Sequence, residues 1–174
     1  MHGTAQEAII RKSRRFAVIS GFVLLLSLSL TAKTNPLEAN KAVARKLFEV
    51  ALNQDNWDLY NQIHSKDFIA HAGNRSAGLA EDLQNAKGWR LAFPDGQYTI
   101  DQMIAEGDMV MVRWTGRGTN TGEGNGLPAT GKHIEATGIT VFHIVGGKIV
   151  EEWNEYDMLG LLRQLGLLPP RQPK

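Results

Sequence analysis

Hydrophobic positions change their period once along this chain, and the change divides it into a helical half and a stranded half. From Leu37 to about Asn53, Ala42, Val43, Ala44, Leu47, Phe48, Val50, Ala51 and Leu52 recur at helical spacing behind Asn35-Pro36, which predicts a first long helix. A shorter helix is expected from near Asp55 to His64, with Asp55 or Asn56 as its cap and Trp57, Leu59, Tyr60 and Ile63 as its apolar stripe. Phe68 to Ala72 is too short and apolar for a helix and predicts a buried extended piece, followed by a turn over Gly73 to Gly78. A third helix, Leu79 to about Ala92, stops before Pro94-Asp95-Gly96.

Beyond that turn the period becomes two. Tyr98 to Ile104, Met109 to about Arg117, Ile134 to Val145 and Lys148 to about Tyr156 predict four long antiparallel strands. A glycine-rich loop, Gly118 to Gly131, separates the second and third. Three helices followed by four strands predict an α+β domain with helices packed on one face of a curved sheet.

The N-terminus follows a different pattern. Arg11, Lys12, Arg14 and Arg15 precede an uncharged run from Phe16 to Leu30, and small and polar residues follow. That order predicts a secretory signal peptide or an uncleaved membrane anchor over residues 1–32, with the domain over 33–174 and an exported location. The 19 basic and 18 acidic residues of the whole chain become 15 and 17 without that segment. A near-neutral domain without a basic stripe argues against nucleic acid as a partner. The chain has no cysteine, which excludes disulfides and thiolate metal sites.

Gly126 to Lys132 reads G-L-P-A-T-G-K, close to a phosphate-binding loop. His133 stands where Ser or Thr would hold magnesium, however, and an alternating segment follows where a helix is required. The histidines, at 2, 64, 71, 133 and 143, include no pair at metal-ligand spacing, and no metal or cofactor is expected. His64 is expected to interact with a helix C-terminus.

His143 to Gly166 reads H-I-V-G-G-K-I-V-E-E-W-N-E-Y-D-M-L-G-L-L-R-Q-L-G, a hairpin feeding a short helix. Two registers are open. A two-residue turn at Gly146-Gly147 sets His143 against Val150 and Asn154 against Ile139. A three-residue loop, Val145 to Gly147, sets Thr140 against Glu152 and gathers Thr140, Glu152 and Asn154 on one face with Phe142, Val150 and Tyr156, leaving Val141, Ile149 and Trp153 on the other. Polar groups on a core-facing strand suggest a pocket. Asp157, directly before the last helix, is read first as its cap and second as a pocket residue. Trp114, on an alternating strand, is expected in the cavity.

This run, with G-L-P-A-T-G-K and Arg113-Trp114-Thr115 upstream, resembles the SnoaL-like polyketide (ester) cyclases, and the resemblance spans Leu37 to Gly166. It implies the cone shared with nuclear transport factor two, scytalone dehydratase and ketosteroid isomerase, a single apolar cavity, and homodimers packed sheet to sheet. It favours the second register and implies a cofactor-independent acid/base step, such as aldol cyclisation, on a bulky carbonyl compound. The family's catalytic acid falls on Asn154 and its histidine on Thr140, so the expected bases become Glu152 or His71, with Asn154 and Thr140 holding an oxyanion. The alternative is an exported binding protein that kept the cavity and lost the base.

Overall fold

The computed structural model describes residues 35–169. The expected signal peptide or anchor, residues 1–32, lies outside them. Helix α1 (Pro36–Lys46) starts where Asn35 accepts a hydrogen bond from the Leu37 amide and Pro36 takes the first turn. It continues as a π-helical segment, Leu47–Leu52, which buries Leu47, Phe48 and Ala51. Helix α2 (Trp57–Ile63) is capped by Asn56, whose side chain accepts from the Leu59 amide at 2.9 Å. Asp55 does not cap it. Its carboxylate instead holds Arg90 at 2.5 Å.

Strand β1 (His64–Ala72) follows without a break, and Arg75–Gly78, expected to be part of a turn, returns beside it as β2. Helix α3 (Leu79–Ala92) leads to β3 (Gln97–Glu106), β4 (Met109–Thr119), β5 (His133–Val145), β6 (Lys148–Tyr156) and α4 (Met158–Gln164). The six strands form one sheet in the order β2-β1-β6-β5-β4-β3, antiparallel throughout except where β1 runs parallel to β6. The predicted α+β architecture is therefore present, with two strands more than the period alone identified. The turn region hid one of them because four residues are too few to show alternation.

His64 is both the C-cap of α2 and the first residue of β1, so it interacts with a helix C-terminus as expected. Its ring is buried between Tyr60 and Phe68, with centroids 4.4 and 4.6 Å away, and Nδ1 lies 2.6 Å from the Tyr60 carbonyl. Nε2 has no partner among the described residues. Burial pushes the imidazole down to about 4, so it serves as a neutral donor to the last turn of α2 and not as a cation on the helix dipole.

The glycine-rich loop between β4 and β5 is fastened by Asn120, which is fully buried. Its amide nitrogen donates to the Ala92 and Gly122 carbonyls, and its oxygen accepts from the Thr130 amide and hydroxyl. The loop runs into β5, not a helix, as expected for a structural connection. It secures the end of α3, and α4 closes the same end by burying Leu161 and Leu165 with Phe93, Leu127 and Ile134.

Candidate active site

The hairpin of β5 and β6 determines which side chains enter the core, and its register is neither of the two expected. Gly146 and Gly147 both take positive φ, 58° and 76°, and form a two-residue turn that pairs Val145 with Lys148 and Ile144 with Ile149. Beyond it the pairing shifts by one residue, so that His143 faces Glu151, Phe142 faces Glu152 and Thr140 faces Asn154. Val150 is the extra residue of this bulge. Ile149, expected on the outer face, is consequently fully buried in the core, while Thr140, Glu152, Asn154 and Tyr156 share the inner face as the second register anticipated. Without the bulge, the acid reaching the inner face would be Glu151.

These inner-face groups meet α2, α3 and β4 around a cavity of about 190 Å³. Its wall is strongly aromatic, with Phe48, Trp57, Trp89, Tyr98, Trp114 and Phe142 among the contributors. Trp114 lies flat because its neighbour across the ladder is Gly138, where any Cβ would collide with the indole. The indole Nε1 donates to Thr140 Oγ1 at 3.0 Å, and Thr140 donates to Asn154 Oδ1 at 3.2 Å. This chain occupies the amide oxygen of Asn154 and leaves its two N–H bonds for a ligand.

Glu152 is 7% exposed and borders the same cavity. Burial pushes its carboxyl well above the ordinary range, and the charge of Asp82 pushes it in the same direction. Asp82, from the first turn of α3, is itself raised by burial, while the hydroxyl of Tyr60 donates to it and pulls it back. Tyr60 is driven up in turn by burial and by the two carboxyls. Of the two acids, only Asp82 has a hydroxyl donor, and Glu152 lacks one. Opposed environments on neighbouring carboxyls are the usual basis for separating acid and base roles.

Asp82 and Tyr60 carry no distinguishing mark in the sequence. An acid in the first turn of a helix is commonplace, and Tyr60 belongs to the apolar stripe of α2. His71 borders the cavity as expected, but its ring belongs to the outer face, stacked on Trp153 with centroids 5.4 Å apart, 2.8 Å from Glu151 Oε1 through Nε2 and 2.9 Å from Ser76 Oγ through Nδ1. The strand period explains this, since His71 pairs with Trp153 whereas Ala70 pairs with Glu152. Asp157 likewise does not line the central cavity: it caps α4, accepting from the Gly160 amide at 2.8 Å. Trp114, Phe142 and Tyr156 do line it. No cluster of three or more potential metal-ligating side chains occurs among the described residues.

A model of SnoaL-like polyketide cyclases matches residues 42–165, from within α1 to the end of α4. The chain belongs to the SnoaL-like polyketide cyclase family. Among solved structures, this SnoaL-like chain is similar to AclR from Streptomyces galilaeus, described as a candidate hydroxylase, at 28% identity over 78% of this chain and 86% of that one, with a TM-score of 0.72. It is also similar to IdmH from Streptomyces antibioticus, described as a candidate polyketide cyclase, at 26% identity over 73% and 98% of the two chains, with a TM-score of 0.65. An epoxide hydrolase of the LEH-like type from M. tuberculosis shares the fold alone, at 12% identity over 76% and 93%, with a TM-score of 0.61. No functionally curated protein matches. The cone of the nuclear transport factor two-like superfamily thus holds in this SnoaL-like chain, and its neighbours carry several chemistries on one frame.

Proposed function

We propose that the protein catalyses a cofactor-independent acid/base step on a carbonyl compound, with the Glu152–Asp82 pair as its proton relay. The supporting observation is a pair of carboxyls at a largely apolar cavity, both raised, with a hydroxyl donor on only one of them. The pair removes a proton from the carbon next to the substrate carbonyl and returns one to the resulting enolate, or to the alkoxide formed when the enolate attacks a second carbonyl. Protons balance over the cycle, and ring closure or isomerisation follows from where the enolate reacts. The free N–H bonds of Asn154 stabilise the negative oxygen, and Thr140 and Trp114 hold that amide in orientation.

The test is incorporation of deuterium from solvent into an enolisable ketone such as 1-tetralone, followed by NMR. Exchange above the buffer rate that is lost in both Glu152→Gln and Asp82→Asn supports this reading, whereas undiminished exchange in either variant refutes the paired relay.

A second reading, a small-molecule binding protein, draws on the amide at position 154, where the resemblance calls for an acid. Ligands that raise the melting temperature without any exchange would favour it. Two further elements are proposed with either reading. One is export or anchoring through residues 1–32. The other is a homodimer through the outer sheet face, where Ile69, Ile139 and Trp153 are 44%, 44% and 38% exposed.

A further inference from the structure

The cavity restricts what can reach Glu152, through its volume and through its charge. An apolar cavity of about 150 Å³ holds one benzene ring, and drug-sized ligand sites usually span about 300–1,000 Å³. At about 190 Å³ this one exceeds the first figure by roughly a quarter and falls well short of the second. Its walls are held by packing and by hydrogen bonds: Trp114 between Tyr98 and Tyr156, Trp89 against Phe93, and the end of α3 tied by Asn120. The bulky compound expected from the resemblance would not be enclosed by this space and would extend from its mouth.

Charge narrows the class further. Two arginines border the cavity, one fully engaged and one through a single nitrogen. Arg90 donates to Asp55 and to the carbonyls of Leu52, Pro94 and Gly96, and Arg117 is paired with Glu135 at 2.8 Å. Arg90 has no group left for a ligand carboxylate or phosphate, Arg117 is held through Nε in an exposed pair, and a carboxylate drawn in beside Glu152 and Asp82 would lose its hydration next to two further acids. The ligand's polar contact is left to Asn154, whose free N–H bonds require an acceptor.

We propose that the substrate is an uncharged compound of one or two rings carrying a carbonyl oxygen, set apart from larger fused systems by the cavity wall and from anionic analogues by the two acids beside Asn154. This rests on the acid/base reading for the carbonyl, but the size and charge limits concern binding and are tested by binding. Quenching of tryptophan fluorescence in the full chain would follow 2-cyclohexenone, 1-tetralone, the three-ring ketone anthrone, and benzaldehyde against benzoate at pH 7. Trp57, Trp89 and Trp114 all border the cavity and report occupancy.

One- and two-ring ketones are expected to bind at least tenfold more tightly than anthrone, and benzaldehyde at least tenfold more tightly than benzoate. Trp89→Ala is expected to raise the affinity for anthrone toward that of 1-tetralone by removing one wall. Anthrone binding as tightly as 1-tetralone, benzoate matching benzaldehyde, or no binding of any one- or two-ring ketone overturns the proposal. Deuterium exchange measured on the bound ketones separates the two ideas. Selective binding without exchange leaves the size and charge limits standing and sinks the catalytic reading, while enzyme-dependent exchange of 1-tetralone by a protein that binds anthrone just as tightly does the reverse.

Discussion

Glu151 and Glu152 are neighbours in one strand, yet they occupy different environments. Glu151 is on the outer face, half-exposed and paired with His71 beside the stacked Trp153. Glu152 is on the inner face, buried in an aromatic cavity with Asp82 as its electrostatic neighbour. Local composition does not separate them. The separation comes from Val150, which as a bulge residue shifts the pairing of β6 by one position and reverses the direction of every side chain after it. A buried cavity acid and a surface ion pair can therefore be exchanged by a single backbone insertion.

The largest expected effect separates the two glutamates directly. Glu152→Gln should reduce turnover by roughly 10²–10⁴-fold, the usual contribution of a positioned acid/base group, and should raise the melting temperature at neutral pH. The sign follows from linkage: a carboxyl raised in the folded state retains its proton there while the unfolded chain loses it, so stability falls as pH rises above the unfolded value, and an amide removes that loss. Glu151→Gln should leave turnover within about twofold, since surface pairs contribute little. Equal losses in the two variants, measured by steady-state rates, would erase the distinction between faces.

The histidines extend the comparison. His64 is held neutral down to about 4, whereas the unfolded chain protonates near 6.5. Between those values the unfolded state binds the extra proton, so stability falls as pH drops through this window, by about 3 kcal/mol in all. Urea denaturation at pH 7 and pH 4 should show this loss, and His64→Phe should flatten the part due to His64. An unchanged slope in the variant would mean that His64 is not the inner-face sensor.

Gly138→Ala should cost about 1–3 kcal/mol by driving a methyl group into the Trp114 ring, and should lower turnover by loosening the Trp114–Thr140–Asn154 chain. Full activity with the stability loss would detach that chain from the chemistry. The smallest effect belongs to Asp157→Ala, expected to cost about 1 kcal/mol through the lost cap of α4 with turnover retained. Lost turnover at unchanged stability would return Asp157 to the site.

Periodicity made the helices and the four long strands readable in advance; the inner-face grouping of Thr140, Glu152, Asn154 and Tyr156 came from one of two open hairpin registers, the one that the resemblance favoured. Periodicity could not place the bulge, because a bulge leaves the alternation of hydrophobic residues intact on each side and only displaces one side relative to the other. His71 borders the cavity as expected, but its ring faces outward, because a nine-residue strand with Phe68 and Ala70 inward turns its odd positions outward. Asp82 and Tyr60 are near Glu152 only because α3 and α2 cross the inner face of the sheet, and no local pattern records that meeting.

The most direct measurement is the ionisation of Glu152 itself, followed as the carboxyl infrared band that disappears in Glu152→Gln. The account predicts a protonated acid whose midpoint lies well above the ordinary glutamate value of about 4.3, moving downward in Asp82→Asn as the neighbouring charge is removed. A midpoint at the ordinary value, unaffected by Asp82→Asn, would contradict it.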